Sequence, residues 1–284
     1  MREFAFFQGP NPGPTTVILG GVHGHEIMAL QAVREVADEL HFELGYEGIH
    51  AGRVLFLEAH QEAVRLGVRF VDQNLNRQFT KEALAGELDP KVREQKIARS
   101  LVRHFNRADY LLDLHTSDEA TPPFLICQYT GIMAGLIKAI LPDEAQYVLS
   151  GLDGRHPGST DGYMYHKGKI GVCLECGSNK DSNSTKVGKT AIYRALHHLG
   201  HIRDPKVETN TTRKPILLEA SFIHKTEHYF DPRVSRDEFT WVTEGTFMGW
   251  DGDQEVIAPS DGYVIWVDLC NSAGEEAFVL AKKM

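Results

Sequence analysis

The chain has 284 residues, 42% of them hydrophobic, and a formal net charge of −9. That is enough apolar material for a full core in one large domain, or a large one and a small one. The charge is spread out, and no run of Lys or Arg is long enough to follow a phosphate backbone, which argues against nucleic acid and anionic membrane as partners.

The N-terminal stretch MREFAFFQGPNPGPTT lacks the apolar centre of a secretory signal, and no apolar run approaches the ~20 residues needed to span a bilayer. The expected location is the cytoplasm. TTVILGG (15–21) reads as a strand, and EIMALQAVREVADELH (26–41) has apolar residues at helical spacing. RVLFLEA (53–59) is a second strand. The segment 89–105 reads as a helix with Asp89 as N-cap and Pro90 at the first helical position. ADYLLDLH (108–115), PFLICQY (123–129) and KIGVCLECG (169–177) are further strands, with helices expected at 131–141 and 184–200. Strands alternating with helices specify an α/β class, a sheet flanked by helices.

Beyond HIRDPKVETNTTRKP (201–215) the texture changes to short alternating runs separated by Gly, Asp and Pro, the spacing of a small β-barrel or sandwich. The expected organisation is a catalytic domain over 1–205 and a small all-β domain over 206–284, joined near Lys206. Four cysteines are too few for a disulfide framework. Cys173 and Cys176 sit three apart on a strand, so they face opposite sides and read as buried thiols. His197, His198 and His201 end a helix, where polar and cationic groups suit its dipole, and His224 and His228 read as barrel surface.

The chemistry concentrates where strands end. GGVHGHE follows the first strand, and loops beyond strand carboxyl ends are where such sheets place ligands. His23 and Glu26 lie three apart across the turn, while His115 ends another strand with Asp113 two residues earlier on the same face. Two histidines, a carboxylate and an open position are what a catalytic zinc site requires, since the ion lowers the pKa of its water to about 7. His25 competes with His23 for this role, and Asp113 is either a ligand or the partner that holds a ligand histidine in its tautomer.

Glu175 interrupts an apolar strand, where an unpaired carboxylate is costly; it reads either as half of a salt bridge or as a general base. Arg69, Asn76 and Arg77 lie in the irregular segment GVRFVDQNLNRQF, the arginines being either surface charges or groups that grip a carboxylate or polarise a carbonyl.

GGVHGHE, RFVDQNLNRQF, LLDLHT and CLECG, in this order, resemble the succinylglutamate desuccinylase/aspartoacylase family, a branch of the zinc carboxypeptidase superfamily. GSTDGYMYHKGKIGVCLECG is similar to the region before the catalytic glutamate in zinc carboxypeptidases, which makes Thr160, Asp161, Tyr163 and Tyr165 candidates for the pocket wall. The resemblance implies a zinc carboxypeptidase-like mixed sheet with a small C-terminal β domain. It also implies one Zn2+ per chain on His23, Glu26 and His115, with Glu175 as general base and Arg69 polarising the scissile carbonyl. Asn76 and Arg77 would bind a substrate carboxylate, with Tyr163 and Tyr165 beside it.

The implied activity is zinc-dependent hydrolysis of the amide in a small N-acylated amino acid. A carboxypeptidase trimming short peptides and a non-catalytic zinc or metabolite binder are the alternatives, and homo-oligomerisation is left open. The chain departs from the family at His25, where asparagine is usual, at Asn74, where aspartate is usual, and in EAHQEA, which lacks the customary Asn-Pro. Tyr165 stands where aspartoacylase carries an arginine for a second carboxylate, with Lys167, Lys169 and Arg155 as the nearest cations in sequence.

Overall fold

A computed structural model describes residues 1–44, 49–86, 89, 91–204, 207 and 214–284. The expected domain boundary at Lys206 lies outside the described residues. In chain order the elements are β1 (Arg2–Gln8), β2 (Asn11–Gly20), α1 (Ile27–Leu44), β3 (Ala51–Glu58), α2 (Gln61–Leu66), α3 (Lys81–Ala85), α4 (Arg93–Phe105), β4 (Tyr110–Ser117), β5 (Phe124–Ile126) and α5 (Ala134–Ile140). They continue with β6 (Tyr147–Ser150), α6 (Thr160–His166), β7 (Ile170–Ser178), α7 (Asn183–His198), β8 (Ile216–Lys225), β9 (Phe230–Pro232), β10 (Thr240–Val242), β11 (Phe247–Asp251), β12 (Gln254–Ile257), β13 (Gly262–Ile265) and β14 (Glu276–Lys283).

The chain forms two compact units, Met1–Gln146 with His156–Pro215, and Tyr147–Arg155 with Ile216–Met284. In the first unit β3, β2, β4 and β7 run parallel, with β1 antiparallel beside β3 and β5 antiparallel beside β7. This is the mixed sheet flanked by helices expected from the alternating strands and helices. Side chains on successive residues of a strand point to opposite faces. Val17 and Leu19 of β2, Leu57 of β3 and Leu111 of β4 therefore share one face and form a core with Ala98, Leu101 and Phe105 of α4 and Met164 of α6. Leu114 of β4 and Cys176 of β7 face the other way, against Gly188 of α7, where any side chain would collide with Ala32 of α1. Cys173 lies on the α6 face, so the two cysteines of CLEC are separated by the sheet, and both are free thiols.

The helix expected to open at Asp89 begins instead at Arg93, with Val92 as its cap residue. Asp89 is spent locally: its side chain accepts the Lys91 N–H at 2.9 Å and its carbonyl the Val92 N–H at 3.2 Å, a turn that precedes the helix. Pro90 lies outside the described residues.

In the second unit β6 pairs parallel with β8, and β14, β13 and β10 follow antiparallel, while β9, β11 and β12 form a separate antiparallel sheet. Phe230, Met248, Val264, Phe278 and Leu280 fill its core. His224 is not a surface residue: its ring stacks on Phe278 with centroids 5.3 Å apart, and Nε2 lies 3.2 Å from Asp251 Oδ2. His228 falls beyond the end of β8 and shares no strand face with it. His201 is buried as well, between the Thr16 hydroxyl at 2.7 Å and the Ala51 carbonyl at 2.9 Å.

Candidate metal centre

Parallel pairing brings the decisive residues to one edge of the sheet. Gly20, the last residue of β2, is level with Leu114, and His115 is level with Glu175. Gly21 then takes φ +68°, a left-handed conformation that suits glycine, and turns the chain into the loop bearing His23 and Glu26. That loop lies hard against α2, since a Cβ on Gly24 would sit 2.1 Å from the Ala63 carbonyl carbon. The Gly24 N–H donates to the Arg69 carbonyl at 3.2 Å, tying this loop to the one bearing Arg69, Asn76 and Arg77.

His23, Glu26 and His115 are all buried, and one ligand atom from each lies within 4.8 Å of the others. Glu26 is central: Oε1 is 2.5 Å from His23 Nδ1, and Oε2 is 3.0 Å from His115 Nδ1. His23 Nε2 is hydrogen-bonded to Asn74 Oδ1 at 3.0 Å, whereas His115 Nε2 lies 3.1 Å from Asp113 Oδ2 without hydrogen-bond geometry. Asn74 Oδ1 also accepts the Asn76 N–H at 2.9 Å, so the amide oxygen is what faces His23 and Nε2 is the protonated nitrogen. In a neutral His23 ring the Nδ1 lone pair then points straight at a carboxylate oxygen. Two acceptors in contact are stable only with a proton or a cation between them, and that donor set suits a divalent ion.

Burial, reinforced by the Arg69 charge, lowers the His23 imidazole to about 4 in spite of the adjoining Glu26. Burial also opposes ionisation of Glu26, yet the two histidines at its oxygens hold its carboxyl well below the usual range. At His115 burial is outweighed by the Asp113 and Glu26 carboxylates, which raise it. Asp113, His115 and Cys173 form a second group of convergent atoms that shares His115.

Glu175 occupies the same face of β7 as Cys173. Burial raises its carboxyl to about 7, and Oε2 is buried without a hydrogen-bond partner. Arg69 is half exposed, with Nη1 3.6 Å from Glu26 Oε1. Asn76 Oδ1 accepts the Thr160 N–H at 3.0 Å, which leaves the NH2 group of the amide as its outward end. Arg77 is largely buried, which lowers its pKa to about 10 and leaves it charged at neutral pH. Its Nε donates to the His156 ring at 2.9 Å and its Nη1 to the Asn76 carbonyl at 2.7 Å.

Other candidates fall elsewhere. His25 turns aside, its Nε2 3.3 Å from Asp118 Oδ2. Tyr163 is a core residue packed on Phe79 and Phe105, and its hydroxyl donates to Asn106 at 2.8 Å, at the start-of-strand end of the sheet. Tyr165 is exposed. Thr160 and Asp161 are buried. Lys167 rests over the Tyr163 ring, Lys169 donates to the carbonyls of Phe105, Asn106 and Ala108, and Arg155 belongs to the second unit.

Sequence reasoning missed the residues that hold the site together. Glu94 is fully buried and accepts the backbone N–H groups of Val71, Asp72 and Gln73 at 2.8, 3.0 and 3.2 Å, with His60 Nε2 at 2.9 Å. His60 occupies the place of the missing Asn-Pro. Asn74 and His156, which face His23 and Arg77, belong with them; the departures from the family pattern at Asn74 and His60 are the available signals.

Residues 12–199 match the family model described as the succinylglutamate desuccinylase/aspartoacylase catalytic domain. Among curated proteins the chain is 23% identical over 294 residues to the succinylglutamate desuccinylase of Idiomarina loihiensis, covering 95% of this chain and 83% of the relative. It is 26% identical over 275 residues to that of Vibrio campbellii, covering 88% and 74%. The crystal structure of the Vibrio cholerae succinylglutamate desuccinylase is similar with a TM-score of 0.74 and 21% identity, over 95% of this chain and 82% of that one. The product-bound ectoine utilization protein EutE of Ruegeria pomeroyi gives a TM-score of 0.70 at 21% identity, over 96% and 86%. At these identities the solved structures establish the shared fold. With the family match running from the first parallel strand through the last helix of the sheet, the chain belongs to the succinylglutamate desuccinylase/aspartoacylase family of hydrolases.

Proposed function

We propose that the chain is a zinc-dependent hydrolase that cleaves the amide bond of a small N-acylated amino acid, and that catalysis resides in residues 1–205. The observation that carries this reading is the convergence of His23 Nδ1 and His115 Nδ1 on the two oxygens of Glu26, with His23 Nε2 hydrogen-bonded to Asn74 and His115 Nε2 beside the Asp113 carboxylate. Zinc suits two imidazoles and a carboxylate with an open position, and when bound it supplies Lewis-acid activation of water and of a carbonyl oxygen.

The chain's own residues do the rest. Glu175, buried on the same face of the sheet, accepts a proton from the attacking water at Oε2 and returns it to the leaving nitrogen. Arg69 donates to the carbonyl oxygen as negative charge develops there. Asn76, with its NH2 end outward, and Arg77, held by His156, orient the substrate through its carboxylate. The curated relatives' name points to acylated amino acids as the substrate class. The described cysteines are all unpaired, as suits a cytoplasmic enzyme.

A panel of N-acetyl and N-succinyl amino acids, their carboxamides and short peptides tests this, with metal content measured on the same preparation. The expected result is turnover of N-acyl amino acids and loss of turnover when the free carboxylate becomes an amide. Preference for peptides would make the protein a carboxypeptidase; bound zinc without any turnover would make it a binder.

A further inference from the structure

Thr160 is wholly buried, yet it sits between the two working ends of the site. Its backbone N–H donates to Asn76 Oδ1 at 3.0 Å, and its hydroxyl donates to Asp113 Oδ2 at 2.6 Å. Asp113 Oδ2 is in turn 3.1 Å from His115 Nε2, while Asp113 Oδ1 is buried without a hydrogen-bond partner. On the other side the Asn76 N–H reaches Asn74 Oδ1, which faces His23 Nε2. One chain of contacts thus runs His23, Asn74, Asn76, Thr160, Asp113, His115, and the Glu26 carboxylate meets a histidine at each end.

Resting on the zinc reading above, we propose that Thr160 is a positioning residue. Its hydroxyl aims the Asp113 carboxylate so that His115 keeps the ring orientation in which Nδ1 meets the ion, and its backbone N–H sets the amide of Asn76 for the substrate carboxylate. Among the described residues the hydroxyl is the only hydrogen-bond donor to Asp113, so without it the carboxylate of a fully buried residue loses the contact that fixes its rotamer.

The test is zinc affinity of the metal-free protein, measured by competition with a chromophoric chelator. Thr160→Val should weaken binding by about 10–100-fold, the usual effect of losing such an outer partner, and Thr160→Ser should restore it. In an Asp113→Asn background Thr160→Val should add little further loss, because the two side chains act as one unit. Thr160→Ala, smaller and free of β-branching, serves as the second variant if the valine protein does not fold. Equal affinity in wild type, Thr160→Val and Thr160→Ala would overturn the positioning role and leave the zinc reading standing. Equal losses in both backgrounds, or no rescue by serine, would also overturn it. A wild-type chain with no affinity for zinc would sink both.

Discussion

Glu175 stands level with His115 on the neighbouring strand, with one carboxylate oxygen buried and unpartnered and its carboxyl raised to about 7 by burial. A group so placed is suited to the proposed role of a base. Glu175→Gln keeps the shape, so it should retain bound zinc and lose about 10²–10⁴-fold in kcat, the range for a general acid–base residue. Full turnover in that variant would remove Glu175 from the mechanism. Asn76 offers a sharper test of the carboxylate subsite. Asn76→Asp keeps an oxygen for the Thr160 N–H and replaces the outward NH2 by a second oxygen, which repels a substrate carboxylate. KM should rise by roughly tenfold or more, with a smaller change for a carboxamide substrate; an unchanged KM would place the substrate carboxylate elsewhere.

At the scale of elements, the segment from Gly67 to Phe79 matters most. It holds little regular structure, and its shape is set from outside by Glu94 of α4, whose carboxylate gathers three consecutive backbone N–H groups and the ring of His60. Burial opposes ionisation of Glu94, but these hydrogen bonds win and lower its carboxyl from 4.5 to about 2. A folded-state pKa below the unfolded one means that stability is fully present above about 4.5 and is lost as pH falls toward about 2. Wild type should therefore lose urea resistance between pH 5 and pH 3 by more than Glu94→Gln does; parallel losses in both proteins would contradict the assignment. Gly24→Ala tests the other anchor. Its Cβ would collide with the backbone of α2, so the loop bearing His23 must move, and both thermal stability and zinc affinity should fall.

These two anchors show why part of the site was legible in the sequence and part was not. His23, Glu26 and His115 follow or end apolar runs and Glu175 interrupts one, where a polar residue stands out. Glu94 gives no such signal, because its partners are His60 and backbone groups more than twenty residues away in sequence. Helices α2 and α3 have six and five residues, too few for a period to register. α6 contains Gly162 and little apolar pattern, so TDGYMYH read as pocket wall when it is a short helix capped by Ser159. On that helix Tyr163 turns to the core.

For the whole molecule, the strand–helix alternation of the first unit and the short turn-bounded runs of the C-terminal strands were read correctly as a mixed sheet with helices and a small all-β part. Strand β1 does not stand out in REFAFFQ, although its register with β3 is continuous over Ala5 to Gln8. The fold's contribution to function is alignment: parallel pairing sets His115 level with Glu175 and brings the loop after Gly20 to the same edge. Among the described residues no helix is long and apolar enough to cross a membrane. The most direct test of the account is elemental analysis of the purified chain, before and after dialysis against zinc, beside His23→Ala and His115→Ala. One zinc per wild-type chain and near-total loss in both variants is the expected result; a wild-type chain that carries no metal and takes up none would contradict it.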